Sequence, residues 1–347
     1  MKHIPFLLLA ALMAIATCNS CIHPELEGGV TIRFATGDMQ STKAVTPGDG
    51  NVVDGGGIRI IGGLPDLVIL LANSGGTIVA KYPTNGTLKS CTATEAIIEF
   101  PGPNGDNLPE GDYTVYAFAN TTGLDGADNP LKIDGQGSQT AEAFLLTQST
   151  SDAVEALTFQ QILRPLTPDD VTTCLPLTAK GSLHVTANHN GEGSLELLRC
   201  MAKITAEFIN NTNEELVLTG YSNSFHGMCP EIGYVIKHPA ISPPNTPSHD
   251  LNASESTLTI PNGGSISKYW YVFPSAGPYT CDISFTYAAT NLVYTGLPVT
   301  NARREDILSL LRNQHLHIVT RISKGDKVSF NFKVAGWDDK SETVTFD

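Results

Sequence analysis

Few side chains in this chain of 347 residues are spaced for chemistry. His315 and His317 stand at i and i+2 in a predicted strand, so both imidazoles point to one side. That spacing can hold a metal ion. No Cys, Asp or Glu continues the pattern nearby in sequence, so the expectation is a solvent-facing pair with no metal and no cofactor. A Gly-x-Ser-x-Gly elbow and a His-Glu-x-x-His helix are both missing. The acidic residues Asp49, Asp54, Asp169, Asp170, Asp338 and Asp339 lack the alternating spacing of a calcium loop. Two reactive positions remain, the thiol of Cys18 at the end of an apolar run and the basic side chain of Lys43, followed by Ala44, in a polar stretch. Their chemistry would be that of processing, not of turnover, and no enzyme is expected.

The elements around these positions give them meaning. Lys2 and His3 precede an almost wholly apolar stretch, Ile4 to Thr17, with Phe6, Leu7, Leu8, Leu9, Leu12, Met13 and Ile15. It is too short to span a bilayer and has the length of a signal h-region. Its end, Ile15-Ala16-Thr17-Cys18, resembles the lipobox of bacterial lipoproteins. That resemblance implies an export signal over residues 1–17 and a diacylglycerol on the Cys18 sulfur. A two-chain anchor holds a protein on a membrane because each buried CH₂ contributes roughly 0.8 kcal/mol. Cys21 is the rival, but Cys18-Asn19-Ser20 lacks the apolar residue in the right place. A plain secretory signal cut near Thr17 is the simpler alternative. No later segment is long and apolar enough to cross a membrane.

Gly28-Gly29-Val30-Thr31-Ile32-Arg33-Phe34 alternates, with Val30, Ile32 and Phe34 on one face. Ala35 to Asn51 then turns to Thr, Gly, Asp, Ser and Pro around Lys43, an exposed loop open to proteases. Leu67 to Ala72 is a continuous apolar run bounded by Gly and Pro signals, and reads as a buried strand with Thr77–Tyr82 as its hairpin partner. Ala96–Phe100, Asp112–Asn120 and Leu183–Val185 are further strands, the last closing a first block, and Ser151–Leu157 is a capped short helix. A polar break over Asn188–Gly193 sets the boundary between domains 44–193 and 194–347, after a leader over 18–43. In the second block Leu195–Ile209, Leu216–Tyr221, Tyr269–Phe273, Thr280–Tyr287, Leu316–Ser323, Val328–Val334 and Thr343–Phe346 read as strands. Trp270 beside Tyr269 and Tyr271 could stack a sugar, though core packing is the commoner use. The fold class is all-β, two tandem antiparallel β-sandwiches of Greek-key, transthyretin-like form with a few short connector helices.

Composition agrees. The net charge of −14 argues against nucleic acid and against an anionic membrane bound through a basic patch. Seven scattered cysteines, five of them beyond the leader, do not make a disulfide framework, although Cys229 and Cys281 could pair.

Several segments, in order, resemble the fimbrillins of Bacteroidales, the subunits of type V pili. They are Glu27 to Phe34 followed by Lys43-Ala44, Gly111 to Asn120 with its Ala-Asn end, Leu198-Arg199-Cys200-Met201-Ala202-Lys203-Ile204, Leu311 to Ile318 with Arg312-Asn313, and Val334-Ala335-Gly336-Trp337. The resemblance implies a lipoprotein precursor at the outer membrane. A trypsin-like protease would cut after Lys43, where the best-known relatives carry Arg, and would release the strand of Val30, Ile32 and Phe34. The emptied groove would then take a strand from another fimbrial subunit, with Thr343, Val344, Thr345 and Phe346 the candidate donor. A non-polymerising surface lipoprotein of the same fold is the alternative, as an anchor, a tip or a binder of host protein or glycan. A secreted metallohydrolase using His315 and His317 is a distant third.

Overall fold

A computed structural model describes residues 29–36, 57–101, 107–126, 129–171, 175–237, 242–301, 304–324 and 327–336. The first eleven strands are β1 (Val30–Ala35), β2 (Ile60–Ile61), β3 (Leu64–Pro65), β4 (Leu67–Asn73), β5 (Ile78–Tyr82), β6 (Thr87–Cys91), β7 (Glu95–Phe100), β8 (Gly111–Ala119), β9 (Leu177–Val185), β10 (Gly191–Glu196) and β11 (Leu198–Arg199). A four-stranded sheet, β10-β1-β7-β6, and a five-stranded sheet, β11-β9-β8-β4-β5, share one apolar interior.

The unbroken apolar run of β4 has a simple cause, because both of its faces are buried. Leu67, Ile69 and Leu71 point into the first sandwich. Val68, Leu70 and Ala72 point outward into a second core, under the short helices Ala141–Leu146 and Ser151–Glu155. Neighbouring β8 divides the same way, with Val115 and Ala117 inside and Tyr116 and Phe118 outside. The second helix is capped as its sequence suggests, but by Thr150, whose hydroxyl accepts the Ala153 N–H at 3.2 Å.

That outer core continues without a break into the second sandwich, where Phe159 stacks on Phe273 with ring centroids 5.1 Å apart. The remaining strands are β12 (Ala202–Asn211), β13 (Leu216–Pro230), β14 (Ser248–Ile260), β15 (Ser265–Val272), β16 (Ser275–Ala276), β17 (Thr280–Tyr287), β18 (Thr290–Pro298), β19 (Ser309–Leu310), β20 (Gln314–Ser323) and β21 (Lys327–Gly336). They form sheets β15-β12-β20-β21 and β14-β13-β17-β18. Trp270 belongs to this core, edge-on to Phe225 at 6.3 Å, and offers no sugar platform.

The architecture is the expected all-β pair of sandwiches, with three differences. Each sandwich contains one parallel pair, β1 with β10 and β12 with β20. Both pairs arise the same way: the first strand of each sandwich lies between a middle strand running against it and a late strand running with it. Secondly, Leu183–Val185 does not close the first block. The chain continues into β10 beside β1 and β11 beside β9, so the break expected at Gly193 falls inside a strand of the first sandwich. Thirdly, Cys229 and Cys281 do not pair. Cys281 stands opposite Phe225 in the ladder and Cys229 opposite His249, and Cys91, Cys200, Cys229 and Cys281 are all free thiols.

Two buried arginines from the family-like segments join the halves. Arg199 donates from Nη1 to Asn313 Oδ1 at 2.9 Å. Arg312 donates to Thr178 Oγ1 at 2.8 Å and to the Lys237 carbonyl at 3.2 Å. Burial lowers the pKa of Arg312 from its ordinary range.

On the second sandwich His226 bridges two strands, with Nδ1 3.0 Å from Asp250 and Nε2 3.2 Å from Asp282. The Asp250 hydrogen bond leads in raising the His226 pKa above its ordinary 6.5, against partial burial. Burial opposes ionisation of Asp250, yet the bonds from His226 and the Gly227 N–H hold its pKa below 3.8. The Gly296 N–H leads in lowering Asp282. A raised histidine stabilises the fold fully below 6.5 and ceases to do so as pH climbs through the higher folded value; the lowered carboxylates stop contributing as pH falls below 3.8. His226→Gln should flatten the decline in stability above pH 6.5, measured by denaturant midpoints across pH. An unchanged slope would mean that the bridge carries no linkage.

Candidate functional site

β1 is an inner strand. It pairs antiparallel with β7, from Val30 opposite Phe100 to Ala35 opposite Glu95, and parallel with β10, from Val30 opposite Gly191 to Ala35 opposite Glu196. Its alternation sets Val30, Ile32 and Phe34 into the first core with no exposed surface. Arg33 points outward and forms an ion pair with Glu95 on β7. The ends are tied by a few bonds. Gly29 N–H donates to Asn190 Oδ1 at 3.2 Å, Leu197 N–H to the Ala35 carbonyl at 2.7 Å, and Thr36 N–H to the Thr94 carbonyl at 3.0 Å.

The far wall of this slot is β10, which also packs closely against β9. Its inward positions beside Val30 and Ile32 are Gly191 and Gly193. A Cβ on Gly191 would come within 2.8 Å of the His184 carbonyl oxygen and 3.5 Å of Val30. Glycine is needed there because the His184 carbonyl lies too close for a Cβ, whereas the approach to Val30 alone would be ordinary contact. Gly191→Ala should cost about 1–3 kcal/mol through this crowding, read from the urea midpoint of the uncut chain. An unaltered midpoint would show that β10 is not held so near.

The three inward residues of β1 belong only to the first-sandwich core, while the outer core, which holds the second sandwich, contains none of them. The chain leaves the described residues after Thr36 and returns at Gly57, and both flanks dock on one turn between β6 and β7. Thr36 N–H reaches the Thr94 carbonyl, and Ile58 N–H reaches that of Ala93 at 2.7 Å. The returning flank is fixed separately. Asn120, with φ 62°, ends β8; its amide nitrogen donates to the Gly57 carbonyl at 3.0 Å and its Oδ1 accepts the Arg59 N–H at 2.8 Å. Asp66 then accepts the N–H and hydroxyl of Thr121 on Oδ1, at 3.0 and 2.6 Å, and those of Thr122 on Oδ2 at the same distances.

Val30, Ile32 and Phe34 thus stand together as their spacing implies. Cys18, Lys43, Ala44, Thr343, Val344, Thr345 and Phe346 lie outside the described residues. His315 and His317 do stack on one side of β20, with centroids 5.7 Å apart, but they are not a solvent-facing pair without a carboxylate. β12 runs parallel beside them, so His317 Nε2 meets Glu207 at 2.9 Å and His315 Nε2 meets Thr205 Oγ1 at 2.8 Å. Among the described residues no group of three His, Cys, Asp or Glu could hold a metal ion.

No family model matches the sequence, and no curated protein matches it. Solved structures do. A candidate cell adhesion protein from Parabacteroides distasonis superimposes with a TM-score of 0.52 at 11% identity, over 91% of this chain and 99% of that one. The tip fimbrial protein Mfa3 of Porphyromonas gingivalis gives 0.48 at 10% identity, over 89% and 99%. A fimbrial assembly protein from Parabacteroides distasonis gives 0.42 at 11%, over 88% and 97%. The first of these shows that this chain shares its overall fold with a candidate cell adhesion protein from Parabacteroides distasonis.

Proposed function

We propose that this chain is a structural, non-catalytic subunit of a cell-surface fimbria. It is exported as an outer-membrane lipoprotein through Cys18, cut after Lys43, and polymerised by exchange of β1 for a strand of another subunit, supporting adhesion. One observation carries this reading: β1 completes a sheet between β7 and β10, yet its buried residues belong to one core only and the chain beyond it is anchored independently. Removing β1 uncovers two rows of backbone N–H and C=O groups and an apolar trench, and a strand from a neighbour is the chemistry that fills both. The relatives by fold are named for cell adhesion, a fimbrial tip and fimbrial assembly, which supports the setting.

Mild trypsin treatment of the purified precursor tests it. The expected result is Ala44 as the new N-terminus and a ladder of oligomers on electrophoresis. A cut chain that stays monomeric would favour the anchor, tip or host-binding alternative.

A further inference from the structure

The four large sheets have two edge strands each. Seven of these eight strands carry a charged side chain, Lys81, Lys89, Glu192, Glu255, Lys268 and Lys327 among them. A charge on an edge is the usual device against unwanted pairing. The exception is β18, Thr290 to Pro298, which carries none in nine residues. Among the described residues no strand lies on its outer side.

Its two halves differ. Beyond Tyr294 the ladder with β17 shifts register, Gly296 takes φ 62° and gives its N–H to Asp282 Oδ1 at 2.7 Å, and Pro298 has no N–H to offer. That half is closed to a further strand. From Thr290 to Tyr294 the pairing with β17 is regular. Here Leu292, at the middle of the stretch, packs on the core, while its neighbour Val293 is 59% exposed.

We infer that this stretch is an interaction surface for a second copy of the chain, joined antiparallel through Thr290–Tyr294 of both molecules. The register centred on Leu292 sets Leu292 opposite Leu292, Asn291 opposite Val293 and Thr290 opposite Tyr294, all within the open half. Partners two residues apart share a face, so the cores of the two sheets stay on the same side. It covers the exposed valine and joins two four-stranded sheets into one. Charge favours this place as well. A chain of net charge −14 repels its copy over most of its surface. This stretch is neutral, and nearby Asp282 is held by the Gly296 N–H and by His226. The contact forms with β1 in place, so it is independent of strand exchange.

Sedimentation and amide exchange of the full, uncut chain decide it, over concentrations from about 1 μM to about 1 mM, the range of a small and transient contact. The expected result is a monomer–dimer equilibrium in which protection of residues 290–294 rises with dimer. Val293→Lys, at an exposed position, should weaken the dimer about tenfold or more by setting two like charges diagonally across the junction on one face. Asn291→Lys should do the same without touching the valine. A chain that stays monomeric throughout would overturn the inference. So would protection at 290–294 independent of concentration, which would mean that a segment of the same molecule covers the edge. A dimer indifferent to both lysines would also overturn it.

Discussion

A chain that begins at Gly57 is expected to rebuild its first sandwich only when a peptide of sequence Val30–Ala35 is added to it. With the peptide, the amides of β7 and β10 should become protected from exchange and the chain should remain soluble. A peptide carrying Ile32→Asp should fail, since it sets a carboxylate where the native side chain has no exposed surface. The size of the effect follows from burial. Three wholly buried side chains contribute about 1.5–3 kcal/mol each, against a net domain stability of roughly 5–15 kcal/mol. The ladders of β7 and β10 add their unpaired groups to the deficit. The peptide should therefore decide between a folded and an open first sandwich, and since the outer core holds no residue of β1 but does hold the outward faces of β4 and β8, amides of the second sandwich report how far the opening spreads. A truncated chain that is protected, soluble and monomeric without peptide would show that the slot closes on itself, and exchange of strands would lose its driving force.

The second large effect is expected at Asp66. Asp66→Ala should lower stability by about 3 kcal/mol, measured by chemical denaturation, because it strips the acceptors from two amides and two hydroxyls at once. Asp66→Asn keeps the shape but can accept on one oxygen only, and should fall between the alanine variant and the parent. In the cut chain the alanine substitution should also loosen residues 57–66, detected as faster amide exchange there. That would separate anchoring of the new N-terminal region from the global loss. Equal exchange in parent and variant would mean that Asn120 and the Ile58–Ala93 bond hold this flank without Asp66.

Much of this was legible from residue order. The period of two at Val30, Ile32 and Phe34 gave a strand with one buried face, and the continuous run at Leu67–Ala72 gave a strand with two. What stayed hidden was the partner of the first strand. β10 has the same period of two, with Glu192, Ser194 and Glu196 outward and Gly191, Gly193 and Leu195 inward. Two of its three inward positions are glycines, and hydrophobic alternation cannot register a missing side chain. The same residues then read as a polar break. Glu207 beside His317 was hidden for another reason: a parallel ladder brings together residues more than a hundred positions apart, and local spacing carries no trace of it.

The outer core that begins on β4 and β8 and runs unbroken into the second sandwich has a mechanical consequence. Among the described residues there is no seam at which the two halves could swing without tearing packed side chains, and Arg199 and Arg312 cross that region as rivets. A filament assembled from such molecules would flex at the joints between them and hardly at all within them. Its stiffness would then be set by how many residues each inserted strand commits to its host.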